Sequence, residues 1–275
     1  MPLLTVLSAI HRSGAAFLSE TGSSVLEQSL PSGWELEWVV QEDGDVSDLR
    51  DRLPAGDERV KYAANGEHLG VAMTRNIALT RARGALLQNL DGDDLLLPGA
   101  LTLASVFSDE RIHWAVGQAD DLLPDGSRKA FPPDLPFGVV APGTANTWAA
   151  DHGANWPIHC AGIMYRTGSV RAVGGWPAVP SDDDVAMFAG LSQVTHGWFE
   201  ERHTWLYRQH DAQQVRWAAN EAWRDRGRTV AAQRALAADL AGLALTATSL
   251  DPAPSVHVGP LMKTEAPLPV RPDVP

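Results

Sequence analysis

A single cysteine, Cys160, among 275 residues leaves no intrachain disulfide and no cysteine-built zinc cluster to consider. Lysine and arginine form no tract, and the net charge of −12 with a pI near 5.1 argues against a sequence-independent nucleic-acid groove. The same scatter of basic residues argues against binding to an anionic membrane surface. No apolar run reaches the roughly 20 residues that a membrane helix needs. The opening Met1-Pro2-Leu3-Leu4-Thr5-Val6-Leu7-Ser8 has no basic stretch ahead of an apolar one, so no secretion leader is expected. Internal repeats are absent as well. These absences set the expectation of a soluble, cytoplasmic protein. What is present is 44% apolar residues, enough for one large core or two small ones.

The apolar residues fall in short runs separated by helical patterns. Strands are expected at Leu3 to Ile10, Glu35 to Gln41, Arg59 to Ala63, Ala85 to Leu90 and Ile112 to Gly117. Helices are expected between them at Ala15 to Gln28 and Gly70 to Ala82, and again at Gly99 to Phe107, with a short one at Asp48 to Leu53. Strands alternating with helices imply an α/β fold, a largely parallel doubly wound sheet with helices on both faces. Pro124-Asp125-Gly126-Ser127 is a turn signal, and Phe131 to Asn155, without period, reads as a long loop or lid. Pro157 to Arg166 is strand-like. A short helix at Thr167 to Val173 closes on Gly174-Gly175, and Ser181-Asp182-Asp183-Asp184 starts another. Trp198 to Arg208 reads as two strands. Ala212 to Thr246 reads as two helices divided near Gly227, and a proline-rich tail follows. The expected organisation is a domain over 1–210, with halves 1–110 and 111–210, then a helical extension over 211–248 and a tail over 249–275.

The run Ala85 to Leu90 ends in Asp91-Gly92-Asp93-Asp94. Three carboxylates at the mouth of a buried strand repel one another and are costly to desolvate unless a cation lies between them. In an extended loop Asp91 and Asp93 point the same way, and such a pair can take a hard divalent cation while leaving positions for phosphate oxygens. Read alone, the segment is equally an exposed acidic turn in which Gly92 supplies a positive φ. A second acidic loop, Glu42-Asp43-Gly44-Asp45, also follows a strand, and ligands of open α/β sheets bind beyond the strands' carboxyl ends.

Taken in order, these pieces resemble glycosyltransferase family 2, inverting enzymes of the GT-A fold that use nucleotide-sugar donors. Val40-Gln41-Glu42-Asp43-Gly44 is similar to the family's strand ending in Asp-Asp-Gly-Ser. Asn65 to Gly70 with Arg75-Asn76 resembles its Asn…Gly…Ala-Arg-Asn helix, and Leu90 to Asp94 resembles its Leu-Asp-Ser-Asp-Asp. Gly174-Gly175-Trp176 followed by Asp182-Asp183-Asp184-Val185 resembles its Gly-Gly-Phe/Trp and Glu-Asp-x-Asp-Leu. The resemblance covers roughly the first 215 residues. His11-Arg12 stands where a Tyr-Asn-Arg type sequence is usual, and Ser181 takes the place of the customary Glu.

The resemblance implies a metal-dependent transfer with inversion from a nucleoside-diphosphate sugar to a soluble small-molecule or glycan acceptor, with a homo-oligomer left open. Asp93 would ligate Mn²⁺ or Mg²⁺, with His210 completing the metal shell. Asp91 would face the ribose or a metal-bound water, and Asp94 would cap the next helix. Asp43 would accept from the nucleobase imide, Arg75 would contact base or phosphate, and Trp176 would offer its face to a sugar ring. Asp182 or Asp183 would be the general base, the register favouring Asp182. A sugar nucleotidyltransferase is the rival enzyme reading, for which His11-Arg12-Ser13-Gly14 makes a poor triphosphate loop. A degenerate carbohydrate-binding or nucleotide-binding protein is the rival without catalysis.

Overall fold

Runs that are apolar at every position, rather than at alternate ones, form strands covered on both faces, and the chain opens on them. The structure, a computed structural model, describes residues 1–46, 48–213 and 218–246, and of 218–222 the backbone alone. Leu3–Ile10 is β1, Leu18–Leu26 α1, Glu35–Glu42 β2, Val60–Ala64 β3, Val71–Arg81 α2 and Leu86–Asn89 β4. There follow Leu95–Leu96 (β5), Ile112–Leu122 (β6), Arg128–Ala130 (β7), Gly138–Val140 (β8), Thr144–Asp151 (α3), Met164–Arg166 (β9) and Thr167–Ala172 (α4). Asp183–Val194 (α5), His196–Arg208 (β10) and Ala218–Leu240 (α6) complete the described chain.

One sheet holds all ten strands, ordered β3-β2-β1-β4-β9-β6-β10-β5, with β7 on β6 and β8 on β10. The first four are parallel, Val6 lying beside Trp38 in β2 and Gln88 in β4. Beyond them β9 runs antiparallel to both β4 and β6, while β6 and β10 are parallel, so the sheet is mixed. Side-chain alternation sends Leu4, Val6, Trp38, Val40 and Leu86 to one face, under Leu18 and Val25 of α1. Leu7, Val39 and Leu87 go to the other, under Ala78 and Leu79 of α2 and Met187 and Phe188 of α5. Helices on both faces follow from these runs. The strand order reverses between β1 and β4, which opens a crevice at their carboxyl ends.

Three expectations change, and a fourth goes untested. The segment 131–155 is not structureless: β8 pairs with β10, and α3 packs on α5, with Asn146 donating to Ala189 O at 2.9 Å. The stretch from Trp198 to Arg208 is a single strand, because bulges near Glu200 and His203 absorb its charged middle without ending the pairing with β6. The helical extension is a single helix across Gly227. That glycine serves packing, since an added Cβ would overlap the Ser181 carbonyl. Small residues on both sides, Ala186 and Ala189 of α5 and Ala231 and Ala235 of α6, seat α6 directly against α5. The proline-rich tail over 249–275 lies outside the described residues.

Gly197 in β10 backs onto the Trp114 indole so closely that a Cβ would overlap the ring, and Trp114 is fully buried. Gly197→Ala should therefore lower the unfolding free energy by about 1–3 kcal/mol, the usual cost of overpacking a filled core. A urea titration checks this, and an unchanged midpoint would show that the sheet gives way there freely.

Candidate functional site

At the carboxyl ends of β1, β2 and β4 the chain leaves a cavity of about 1140 Å³. It takes its lining from His11 and Asp43, from Asp91 and Asp93, and from Asp182 to Asp184 across the cleft, with Arg75 among them. Six of the eight residues nominated from sequence thus reach one space, although they come from four separate segments.

The turn after β4 holds its acids apart by giving each a different partner. Asp91 accepts from an Arg75 guanidinium nitrogen at 2.5 Å. Asp93 Oδ2 lies 2.8 Å from His210 Nε2, just past β10, so the nominated His210 does meet Asp93. Asp94 caps no helix. Its Oδ1 accepts the Arg208 backbone N–H at 2.9 Å, and its buried Oδ2 has no partner among the described residues. Burial, with Asp91 beside it, raises the Asp93 carboxyl above the ordinary range against the pull of His210. Burial and the same neighbours raise Asp94 further. Gly92 has no positive φ; a Cβ there would lie 2.6 Å from Ile10 Cγ2, so close approach to β1 is what requires glycine.

Arg75 joins the two halves of the cleft. Its side chain is 3% exposed, donating to Asp91 on one side and to Asp183 Oδ2 at 2.8 Å on the other. Burial alone would lower the affinity of this guanidinium for its proton, but Asp91 and Asp183 override that, and it stays charged. Asp183, the first residue of α5, is buried, and desolvation lifts its carboxyl to about 6 even with Arg75 pulling the other way. Asp182 precedes it in a left-handed backbone conformation, φ 58°, and turns to Arg228 of α6, Nε to Oδ2 3.3 Å. Burial, reinforced by Asp184, raises its carboxyl as well. The two candidate bases therefore face different cations.

Asp43 sits at the end of β2 with both oxygens engaged. Oδ1 accepts the Leu69 N–H at 2.7 Å and Oδ2 the Gly70 N–H at 3.1 Å, while His68 Nδ1 stands 3.0 Å from Oδ2. The carboxylate thereby organises the loop into α2. The Asn65 side-chain amide also donates to Oδ1, at 3.3 Å, so with His68 beside Oδ2 the carboxylate's roughly four acceptor positions are engaged, and a ligand N–H would take the place of one of these donors. Trp176 is the displaced nomination. It is 2% exposed, within the core face under α2 and α5, and does not line the cavity. Asn76 holds it there through both its backbone N–H and its carbonyl, at 3.0 and 2.7 Å.

Sequence reasoning missed several lining residues. His159 faces the cavity with its ring against Trp205 and Tyr207, and dense surroundings lower its proton affinity despite Asp184 and Asp91 nearby. Trp156, Trp223, Arg224 and Arg228 also line the space. None of these carries a spacing signal, since each arrives from a loop or helix far away in the chain.

A divalent cation was the expectation at Asp93. Among the described residues no three His, Cys, Asp or Glu side chains converge as a metal cage. The donor set is the Asp93–His210 pair with Asp91 alongside. Hard divalent cations held by one or two protein ligands and completed by phosphate oxygens and water suit such a set.

Comparison with known proteins follows the same outline. Residues 5–121 match the model of Glycosyl transferase family 2. An uncharacterized protein of Mycobacterium tuberculosis is 35% identical over 130 residues, covering 44% of this chain and 39% of that one. A putative teichuronic acid biosynthesis glycosyltransferase, TuaG of Bacillus subtilis, is 34% identical over 96 residues, covering 34% of this chain and 36% of its own. The matches thus span well under half the length of either relative. The S. aureus TarS 1–349 crystal structure in complex with UDP-GlcNAc superposes with a TM-score of 0.59 at 16% identity, over 79% of this chain and 61% of that one. Its UDP complex gives 0.55 at 17% identity over 75% and 60%. At that identity the likeness is one of fold, and the fold is of the GT-A type.

The geometry at Asp43 yields a measurable consequence. Asp43→Ala leaves the Leu69 and Gly70 amides without their acceptor, so hydrogen exchange at both should quicken. Global stability should fall by about 1 kcal/mol, as for a hydrogen bond lost at a half-buried position that water can reach. Retained protection at the two amides would show that the loop is organised by something else.

Proposed function

We propose that this chain, whose residues 5–121 match the model of Glycosyl transferase family 2, transfers a sugar unit from a nucleoside-diphosphate sugar to an acceptor hydroxyl, with inversion. The observation that carries this reading is the Arg75 bridge between Asp91, on the donor side, and Asp183, at the start of α5. It supports the reading because one carboxylate that would serve the donor and one that would act as base on the acceptor lie on opposite sides of one cation, inside one cavity.

The donor's nucleoside would lie over the carboxyl ends of β1 and β2, where an imide N–H would replace the exposed His68 on Asp43 and His11 lines the wall. Asp91 would accept from the ribose. Asp93 and His210 would hold Mn²⁺ or Mg²⁺. When bound, such a cation neutralises charge growing on a departing diphosphate. Across the cleft Asp183 takes the acceptor's proton as that hydroxyl oxygen attacks the anomeric carbon. The bond from that carbon to the diphosphate oxygen breaks on the opposite face, and its electron pair leaves with the diphosphate. A base raised to about 6 is ionised at neutral pH and still basic enough to receive a proton. The register of the motif favours Asp182 for this role. Two observations favour Asp183: its place on Arg75, and the commitment of Asp182 to Arg228.

Three outcomes test the reading. Asp93→Ala should abolish the Mn²⁺-dependent part of UDP or GDP binding in calorimetry, and equal affinity with and without Mn²⁺ in both proteins would sink the metal assignment. Asp183→Asn should lower kcat by roughly 10²- to 10⁴-fold with nucleotide affinity nearly unchanged. Asp182→Asn should act mildly; the reverse ranking would return the base to Asp182. In the native protein kcat/KM should fall as pH drops through about 6, because Asp183 works as the carboxylate. Arg75→Gln removes the cation that opposes protonation and should move that limb to higher pH.

A further inference from the structure

The end of the cavity beyond Asp182 is built by α6, which lies outside the residues that match the family. Its position is set closely. Gly227 lets the helix backbone meet the Ser181 carbonyl, which brings the preceding turn, with Trp223 and Arg224, to the cavity wall beside Arg228. Trp156 and Asn155 face them from the loop after α3. Most polar groups here are already committed. Arg228 donates to Asp182 through Nε and to Asn155 Oδ1 at 2.8 Å through a terminal nitrogen. The Trp156 indole N–H donates to Asn146 Oδ1 at 2.9 Å.

Arg224 is the exception. It makes no ion pair or hydrogen bond with any described residue, and its charge reaches Asp182 only through space. On this side of Asp182 two guanidiniums therefore face one carboxylate, in a chain whose net charge is −12. Planar guanidinium groups match carboxylate and phosphate oxygens in pairs. Trp223, 36% exposed, also lines this end of the cavity, and an indole offers a surface suited to the apolar face of a sugar ring.

We propose that α6 forms an acceptor subsite for a sugar bearing an anionic group, carboxylate or phosphate, with Arg224 taking the anion and Trp223 lying against the ring. The assignment rests on the glycosyl-transfer reading above and adds the acceptor class to it. Arg228 stays with Asp182 and keeps the subsite wall in register with α5.

The test is binding by the full chain, measured by titration NMR, of glucuronate, glucose 6-phosphate and neutral glucose, with UDP titrated in parallel. The native protein should bind at least one anionic probe about ten-fold or more tightly than glucose, the range for a hydrogen bond to a charged group. Preference for glucuronate would identify a carboxylate as the source, and preference for glucose 6-phosphate a phosphate. Arg224→Ala, a change at an exposed position, should erase that preference while leaving UDP affinity unchanged. Trp223→Ala should weaken charged and neutral probes alike. Equal binding of all three sugars by the native protein, or a preference that survives Arg224→Ala, would overturn the proposal. So would a loss of UDP affinity matching the loss of anionic probe, because Arg224 would then serve the donor. An Arg224-dependent preference in a protein that binds no UDP would uphold this subsite while refuting the donor reading.

Discussion

A buried guanidinium must find anions, and Arg75 finds one on each side of the cleft. The remaining arrangement depends on that requirement. Removing either carboxylate leaves a guanidinium nitrogen unpaired in the interior, and removing both would leave an uncompensated buried charge, a change that in buried ion pairs costs about 3–5 kcal/mol. The bridge therefore ties the turn after β4 to the first residue of α5, two segments 92 positions apart at Asp91 and Asp183. The same contact answers a problem visible in the primary structure: three acids crowd the mouth of β4. Arg75 takes Asp91, His210 takes Asp93, and a backbone amide of β10 takes Asp94. No two of the three share a partner.

The sheet places these groups without itself contributing chemistry. Its parallel half delivers Asp43 and Asp91 at the ends of β2 and β4, on either side of β1, around the point where strand order reverses. The mixed half closes the cleft from the other side. β9 runs antiparallel beside β4, so that Cys160 and His159, just before it, arrive at the same end as Asp91. β10 then carries His210 past β6 to Asp93. One consequence is that Asp91, after β4, and Asp183, at the start of α5, are held by different parts of the fold and meet through a single cation.

α6 adds a wall that the sheet does not supply. Its contact with α5 is made of alanines and one glycine, so the two helices approach closely, and Arg228 reaches back to Asp182. The far end of the cavity is thereby lined by a helix separate from the segments that carry Asp43, Asp91 and Asp93. Change in that helix can alter this end of the cavity while leaving those three acids in place.

Local sequence was enough for the strands up to Leu90, for the helices on both faces and for the acidic loops at strand ends. In each case the signal is short-range: continuous apolar runs, helical spacing, and acids placed where a run stops. It was also enough to bring Asp43, Arg75, Asp91, Asp93 and the Asp182–Asp183 pair onto one list, because order along the chain is itself a pattern. It failed where contact partners decide. Trp176 looked available and is buried, because Asn76, 100 positions earlier, pins its backbone under α2. Gly92 and Gly227 looked like turn and break, and both prove to be close approaches of one segment to another. The separation of Asp182 from Asp183 is of the same kind. Adjacent and chemically identical, they differ only in which arginine the tertiary structure sets beside each, and the distance to a remote cation is information that no run of neighbouring residues contains.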